Sequence, residues 1–172
     1  LTGLDVSKFD TSNVTTMYYM FNACEALTTL NVSNFNTSKV SDMRFMFSGC
    51  KKLTTLDLSH FNTSSVKRMD YMFFICPVLK TLNLSGFNTS NVVDMSFMFY
   101  RCPALTTLDL SSFNTSNVTS MSSMFLDCSK LVTIYAGAEW STKGVTSTTS
   151  ASMFGNCQAL VGGKKTAFAT AG

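Results

Sequence analysis

Apolar residues along this chain return in fixed columns 26 positions apart. Leu4, Leu30, Leu56, Leu82 and Leu108 hold one column, with Ile134 in the next slot. Phe9, Phe35, Phe61, Phe87 and Phe113 hold a second, and Met20, Met46, Met72, Met98 and Met124 a third. Cys24, Cys50, Cys76, Cys102 and Cys128 form a fourth, which Cys157 closes three residues late. A fixed period of this length marks a solenoid, in which one small unit stacks on the next to bury a continuous core.

Within the unit Leu27 to Lys52, Leu30 and Val32 alternate with Asn31 and Ser33, the period-2 pattern of a strand. Phe35 follows as a plug at the bend. Asn36-Thr37-Ser38 is a polar turn, preserved as Phe9-Asp10-Thr11-Ser12 in the first repeat, whose side chains can cap a following helix. At about 100° per residue, Val40, Met43, Met46, Phe47 and Cys50 fall within about 120° of one another, which predicts a short amphipathic helix. Proline follows Cys76 and Cys102 directly, where a helix stops. The expected architecture is an α/β solenoid, a right-handed leucine-rich-repeat-like coil of about six 26-residue repeats. A parallel β-sheet lines one face and short helices the other, with rungs about 5 Å apart over a length of about 30 Å. Residues 1–161 form this single domain, and residues 162–172 are a tail or the start of a cap. The chain opens inside a repeat, with Leu1 in the slot of Leu27, so it reads as a piece of a larger protein that carries any export signal or anchor elsewhere.

The LxxLxL strand and the block Met46-Phe47-Ser48-Gly49-Cys50-Lys51-Lys52-Leu53 resemble the BspA-type leucine-rich repeats, in particular the 26-residue repeat of bacterial surface proteins. The resemblance covers nearly the whole chain. It implies an exported protein displayed on cells, with roles in adhesion to host proteins, co-aggregation and protein–protein contact. Phenylalanine stands where ordinary leucine-rich repeats place an asparagine, so an aromatic spine replaces the asparagine ladder. The last repeat drifts, with Trp140 one residue late in the phenylalanine slot and Gly144-Val145-Thr146 before a weakened helix.

Charged residues make up only 13% of the chain, about half the usual share, which suits uncharged ladders where like charges would repel from rung to rung. The net charge of +3 is scattered over Lys8, Lys39, Lys51, Lys52, Lys67, Arg68 and Arg101. No basic stripe results, which argues against a nucleic-acid partner. No apolar run approaches the roughly 20 residues of a membrane span, so this segment is not expected to insert in a bilayer. Cysteines stacked in register sit at about the 4.8 Å strand spacing, beyond the Cβ separation a disulfide prefers, and are read as free buried thiols. No pair has zinc-ligand spacing.

The single histidine, His60, shares its column with Lys8, Asn34, Gly86 and Ser112, and reads as a solvated bend rather than a general base. No nucleophile elbow, phosphate loop or metalloprotease motif occurs, and a flat ladder does not supply the oxygens of a calcium site. Neither an enzyme nor a cofactor is expected. Two surfaces remain. On the strand face, Asn31, Asp57, Asn83 and Asp109 stand between columns of threonine and serine, suited either to a glycan or simply to solvation. On the helix face, Tyr19, Phe45, Tyr71 and Phe97 form one column, and Phe74 and Tyr100 a second, about 140–200° from Met17. These six rings form either an exposed aromatic strip that binds a partner or a set packed sideways between rungs. The expected function is a non-catalytic cell-surface adhesion or protein-interaction module, its partner a host extracellular protein or another bacterial surface protein. A structural spacer and a weak glycan-binding module are the alternatives.

Overall fold

The computed structural model of the chain describes residues 2–161; Leu1 and the expected tail or cap, 162–172, lie outside them. Each repeat forms one rung, and rungs pair in parallel at an offset of one repeat. Strand β1 (Thr55–Asp57) pairs with β2 (Thr81–Asn83), placing Leu56 against Leu82. Strand β3 (Thr107–Leu110) pairs with β4 (Thr133–Ala136), placing Leu108 against Ile134. Alternation holds as expected: Leu56 and Leu108 point inward, while Thr55, Asp57, Thr107 and Asp109 face solvent.

The expected helices are absent from the described residues, and the α/β architecture is therefore corrected. The segment from Val40 to Cys50 is instead a chain of tight turns tied to its neighbours. The amides of Met43, Phe45, Phe47 and Gly49 donate forward to the carbonyls of Arg68, Asp70, Met72 and Phe74 in the next rung, at 3.1, 3.3, 2.9 and 2.7 Å. The alternate amides of Met46, Ser48 and Cys50 donate back to Met43, Phe45 and Phe47 within their own rung. Every second amide thus serves the stack and the rest close turns, which satisfies a backbone that the core excludes from water. A second parallel column of bridges marks this side, running Thr16, Asp42, Arg68, Asp94 and Ser120.

The reason is spacing. Two packed helices need about 8–10 Å between axes, whereas the rings of Tyr71 and Phe97, one rung apart on this face, lie 4.7 Å apart. Turns fit that distance, at the cost of recurring left-handed residues. Phe45, Tyr71 and Phe97 have φ of 56°, 61° and 57°, with Gly49, Ile75 and Arg101 four residues further on at 72°, 56° and 55°.

The columns read from the sequence supply most of the core, with Leu4, Met20, Cys24, Leu30, Leu82 and Ile134 only partly buried against it. Val40, Met43, Met46, Phe47, Cys50 and Leu53 are fully buried, as are their counterparts in the next three rungs. Phe21, Phe47, Phe73, Phe99, Phe125 and Phe154 stack in one spine at centroid spacings of 5.6, 5.7, 5.5, 5.5 and 5.3 Å. The bend phenylalanines form a second, with Phe61, Phe87 and Phe113 at 6.5 and 6.1 Å; Phe9 in the first rung is 48% exposed.

The polar turn does not cap a helix. Its asparagine closes the turn on itself, as Asn36 Oδ1 accepts the Ser38 amide at 3.1 Å. Its threonine is buried and points to the next rung. Thr63 Oγ1 donates to the Asn88 carbonyl and accepts the Asn88 amide, both at 2.8 Å, and Thr11 and Thr89 do the same one repeat on. Where Trp140 arrives one residue late, Thr115 reaches Ser141 instead, 26 residues away rather than 25.

All six cysteines are free thiols, and five are buried. The Sγ of Cys50, Cys76, Cys102, Cys128 and Cys157 donates to the carbonyl of Phe21, Phe47, Phe73, Phe99 and Phe125 respectively, at 3.3 to 3.0 Å. Burial pushes the Cys50 and Cys128 thiols up to about 12 and that of Cys157 to about 11.

Candidate functional site

The turn face carries the six aromatic residues singled out in the sequence, and the fold brings them into one continuous surface. Tyr19, Phe45, Tyr71 and Phe97 stack along the rungs at 4.7, 4.4 and 4.7 Å. Phe74 and Tyr100 form the second column at 4.9 Å, and edge contacts of 5.3 Å (Tyr71 to Phe74) and 5.8 Å (Phe97 to Tyr100) join it to the first. The rings pack against one another across rungs and still reach solvent. Tyr19 is 42% exposed, and Phe45, Tyr71, Phe74, Phe97 and Tyr100 are half-buried. The first column ends at Ser123, which is buried.

The left-handed backbone explains how the rings reach this surface. Tyr19, Phe45, Tyr71 and Phe97 occupy the first left-handed position of each rung, unusual for bulky side chains. Ser123 and Ser152 adopt it too, so the conformation belongs to the rung and only the aromatic choice is specific to the strip.

Sequence reasoning missed several members. Tyr18 lies 4.2 Å from Tyr19 and 6.1 Å from Phe45, making a seventh ring. The Arg44 guanidinium sits over Tyr18 at 4.7 Å and that of Arg101 over Tyr100 at 5.1 Å. Beside the strip runs an ionic network. Arg44 pairs with Asp42 at 2.6 Å, and Arg68 bridges Asp70 at 2.8 Å and Asp94 at 3.0 Å. Burial raises the Asp70 carboxyl above its ordinary value despite the Arg68 hydrogen bond. Burial acts the same way on Asp42, but hydrogen bonds from Arg44 prevail and hold it low. The phenol of Tyr71 is raised by burial and then by the carboxylates of Asp70 and Asp94. The spacing Asp42-x-Arg44 and Arg68-x-Asp70 was the available signal, since i, i+2 partners do not face each other on a helix and do so along an extended stretch.

The strand-face candidates have another occupation. Asn31, Asp57, Asn83 and Asp109 are exposed, but Oδ1 of each accepts the amide of the serine two residues on, at 3.0, 3.0, 3.2 and 2.9 Å. These bonds hold the Asp57 and Asp109 carboxyls below the usual range. Asn31 and Asp57 share a shallow hollow of about 440 Å³ with Leu4, Leu30, Thr55 and His60; Asn83 and Asp109 do not line it. His60 is exposed, and its Nε2–H donates to the Val32 carbonyl at 2.7 Å. Asn34 and Ser112 in the same column likewise donate to the preceding rung. Among the described residues no group of three His, Cys, Asp or Glu is placed to hold a metal ion, and no helix is long and apolar enough to cross a membrane.

Parallel rungs joined by hydroxyl, thiol, amide and aromatic ladders define a repeat protein of stacked turns and short strands. The chain belongs to the family described as "Mycoplasma protein of unknown function, DUF285", whose model matches residues 2–81 and 54–166. No curated protein and no solved structure matches it.

Proposed function

We propose that this chain is a non-catalytic adhesion or protein-interaction module of a surface-displayed bacterial protein, and that the aromatic strip is its contact surface. The observation that carries the reading is the continuity of seven rings, from Tyr18 to Tyr100, on one face of a rigid stack. Tyrosine and arginine are the residues that most often dominate binding energy, and here Arg44 and Arg101 frame the strip. The partner class is an extracellular protein of a host or another bacterial surface protein. The likeness of the repeat to those of bacterial surface proteins supports export and display. A spacer role predicts no binding face, and the strip argues against it. The glycan reading is weakened because each strand-face amide or carboxylate already has one oxygen committed to its own turn.

The test is adhesion of beads coated with the chain to bacterial and host cells. The Tyr71→Ser/Phe97→Ser pair is expected to abolish adhesion while circular dichroism shows the fold retained. Full adhesion by the folded double variant sinks the strip, and loss on Asp57→Ala/Asp109→Ala instead moves the site to the strand face.

A further inference from the structure

The orientation of the rings limits what the strip can hold. Phe45 and Tyr71 each have a ring stacked on both faces, with interplanar angles of 28°, 8° and 10° along the column. Their faces are occupied by neighbours, so the surface they turn to solvent is a row of ring edges. A ring inserted between two others needs about 7 Å, twice the van der Waals contact distance, and the rungs offer 4.4 to 4.7 Å. Insertion is therefore closed. At the two extremes, Arg44 over Tyr18 and Arg101 over Tyr100 already supply the cations that ring faces attract. Outside the Tyr71–Phe74 and Phe97–Tyr100 edge contacts, what stays unmatched is the solvent-facing ring edge, whose electropositive C–H groups pair with the electron-rich face of another aromatic group.

From this complementarity we propose that the strip binds a flat run of aromatic side chains on its protein partner, lying lengthwise along Tyr19, Phe45, Tyr71 and Phe97 with ring faces against their edges. The inference rests on the strip being the contact surface and adds the chemistry of what contacts it. A second copy of the strip is a poor occupant, because edges would meet edges. A basic peptide is a poor one too, because its cations seek faces that are already covered. The Tyr71–Phe74 and Phe97–Tyr100 pairs widen the strip to two columns, their ring planes inclined at 62° and 68°.

Thioflavin T, a long flat aromatic dye, is the probe. Its fluorescence is expected to rise saturably on titration with the native chain, at one dye per chain. Tyr71→Leu keeps apolar bulk but breaks the row of flat rings, and is expected to weaken the dye by about tenfold. Tyr19→Leu, at the exposed end of the column, shortens the row from four rings to three without touching the core, and is expected to weaken it less. Tyr135→Ser removes an exposed tyrosine on the opposite, strand side and is expected to leave binding unchanged. Absence of binding by the native chain, or equal binding by Tyr19→Leu and Tyr71→Leu, overturns the proposal. So does binding that disappears in high salt, which would mean that the dye's charge is drawn to the carboxylates of Asp42, Asp70 and Asp94 beside the strip. Self-association in sedimentation that Tyr71→Leu abolishes overturns it in favour of a second copy. The two readings separate cleanly: dye binding with unaltered adhesion in the variants defeats the adhesion role alone. Strip-dependent adhesion without dye binding defeats the ligand class alone.

Discussion

Thr63 has no charge and no exposed surface, yet its hydroxyl holds two rungs together through paired bonds to one residue of the next repeat. Replacing it with valine keeps the shape and strands the Asn88 amide and carbonyl without a partner. The expected loss is about 1–3 kcal/mol in urea unfolding, while Thr63→Ser, which keeps both bonds, loses less. Thr29→Val on the exposed face is expected to change stability by no more than about 0.5 kcal/mol. The thiols make a prediction about pH. Their folded values, about 12 for Cys50 and Cys128, lie above the ordinary 9.0 because burial disfavours the thiolate. Between those values the unfolded chain loses protons that the native chain retains. Stability is therefore full below pH 9 and falls as pH rises toward 12, by about 1.4 kcal/mol per pH unit for each such thiol. Urea midpoints measured across that window check it. A thiol reagent should find five of the six cysteines protected in the native chain, and all six reactive once it is unfolded.

The element that misled sequence reading is the segment from Val40 to Cys50. Its apolar positions lie three and four apart, and an α-helix brings such positions to one side. A succession of turns closed by bonds from residue i to i−3, such as Met46 to Met43 and Cys50 to Phe47, does the same. Periodicity cannot separate the two. Far-UV circular dichroism is accordingly expected to lack the paired minima of α-helix, and their appearance would restore the helical reading. Left-handed residues are the local cost of the turns. Gly49 occupies one such position at φ 72°, so Gly49→Val is expected to destabilise by about 1–2 kcal/mol, measured by urea unfolding. Its fully extended alternative would disrupt the Gly49 amide bond to Phe74. The strip itself was legible as two aromatic columns, but not its seventh ring. The column of Tyr18 continues as Arg44, Asp70, Ser96 and Ser122, with no periodic signal to notice.

At the scale of the whole molecule, the stack behaves as units coupled to nearest neighbours. Removing one exact repeat, residues 53–78, leaves every ladder in register with one rung fewer. It is expected to fold cooperatively with reduced stability. Removing residues 53–77 shifts all later inward positions by one and is expected to abolish cooperative unfolding; calorimetry distinguishes the two. The exact deletion also removes Arg68 and brings Asp42 beside Asp94, so its stability should fall further at neutral pH than the loss of a rung alone explains. Restoring an arginine by the additional change Asp94→Arg is expected to recover part of it.

The sequence by itself determined the period, the inward columns, the strand alternation and the free, buried thiols, because each is a matter of which side chains leave water and at what interval. It also marked the aromatic columns as unlike the rest of the polar surface. Only the tertiary structure decided the conformation of the second half of each rung, since neighbours at 4.7 Å leave no room for helices packed 8–10 Å apart. The same spacing decided what the strip presents: rings brought within stacking distance cover one another's faces, and their edges are left to meet a partner.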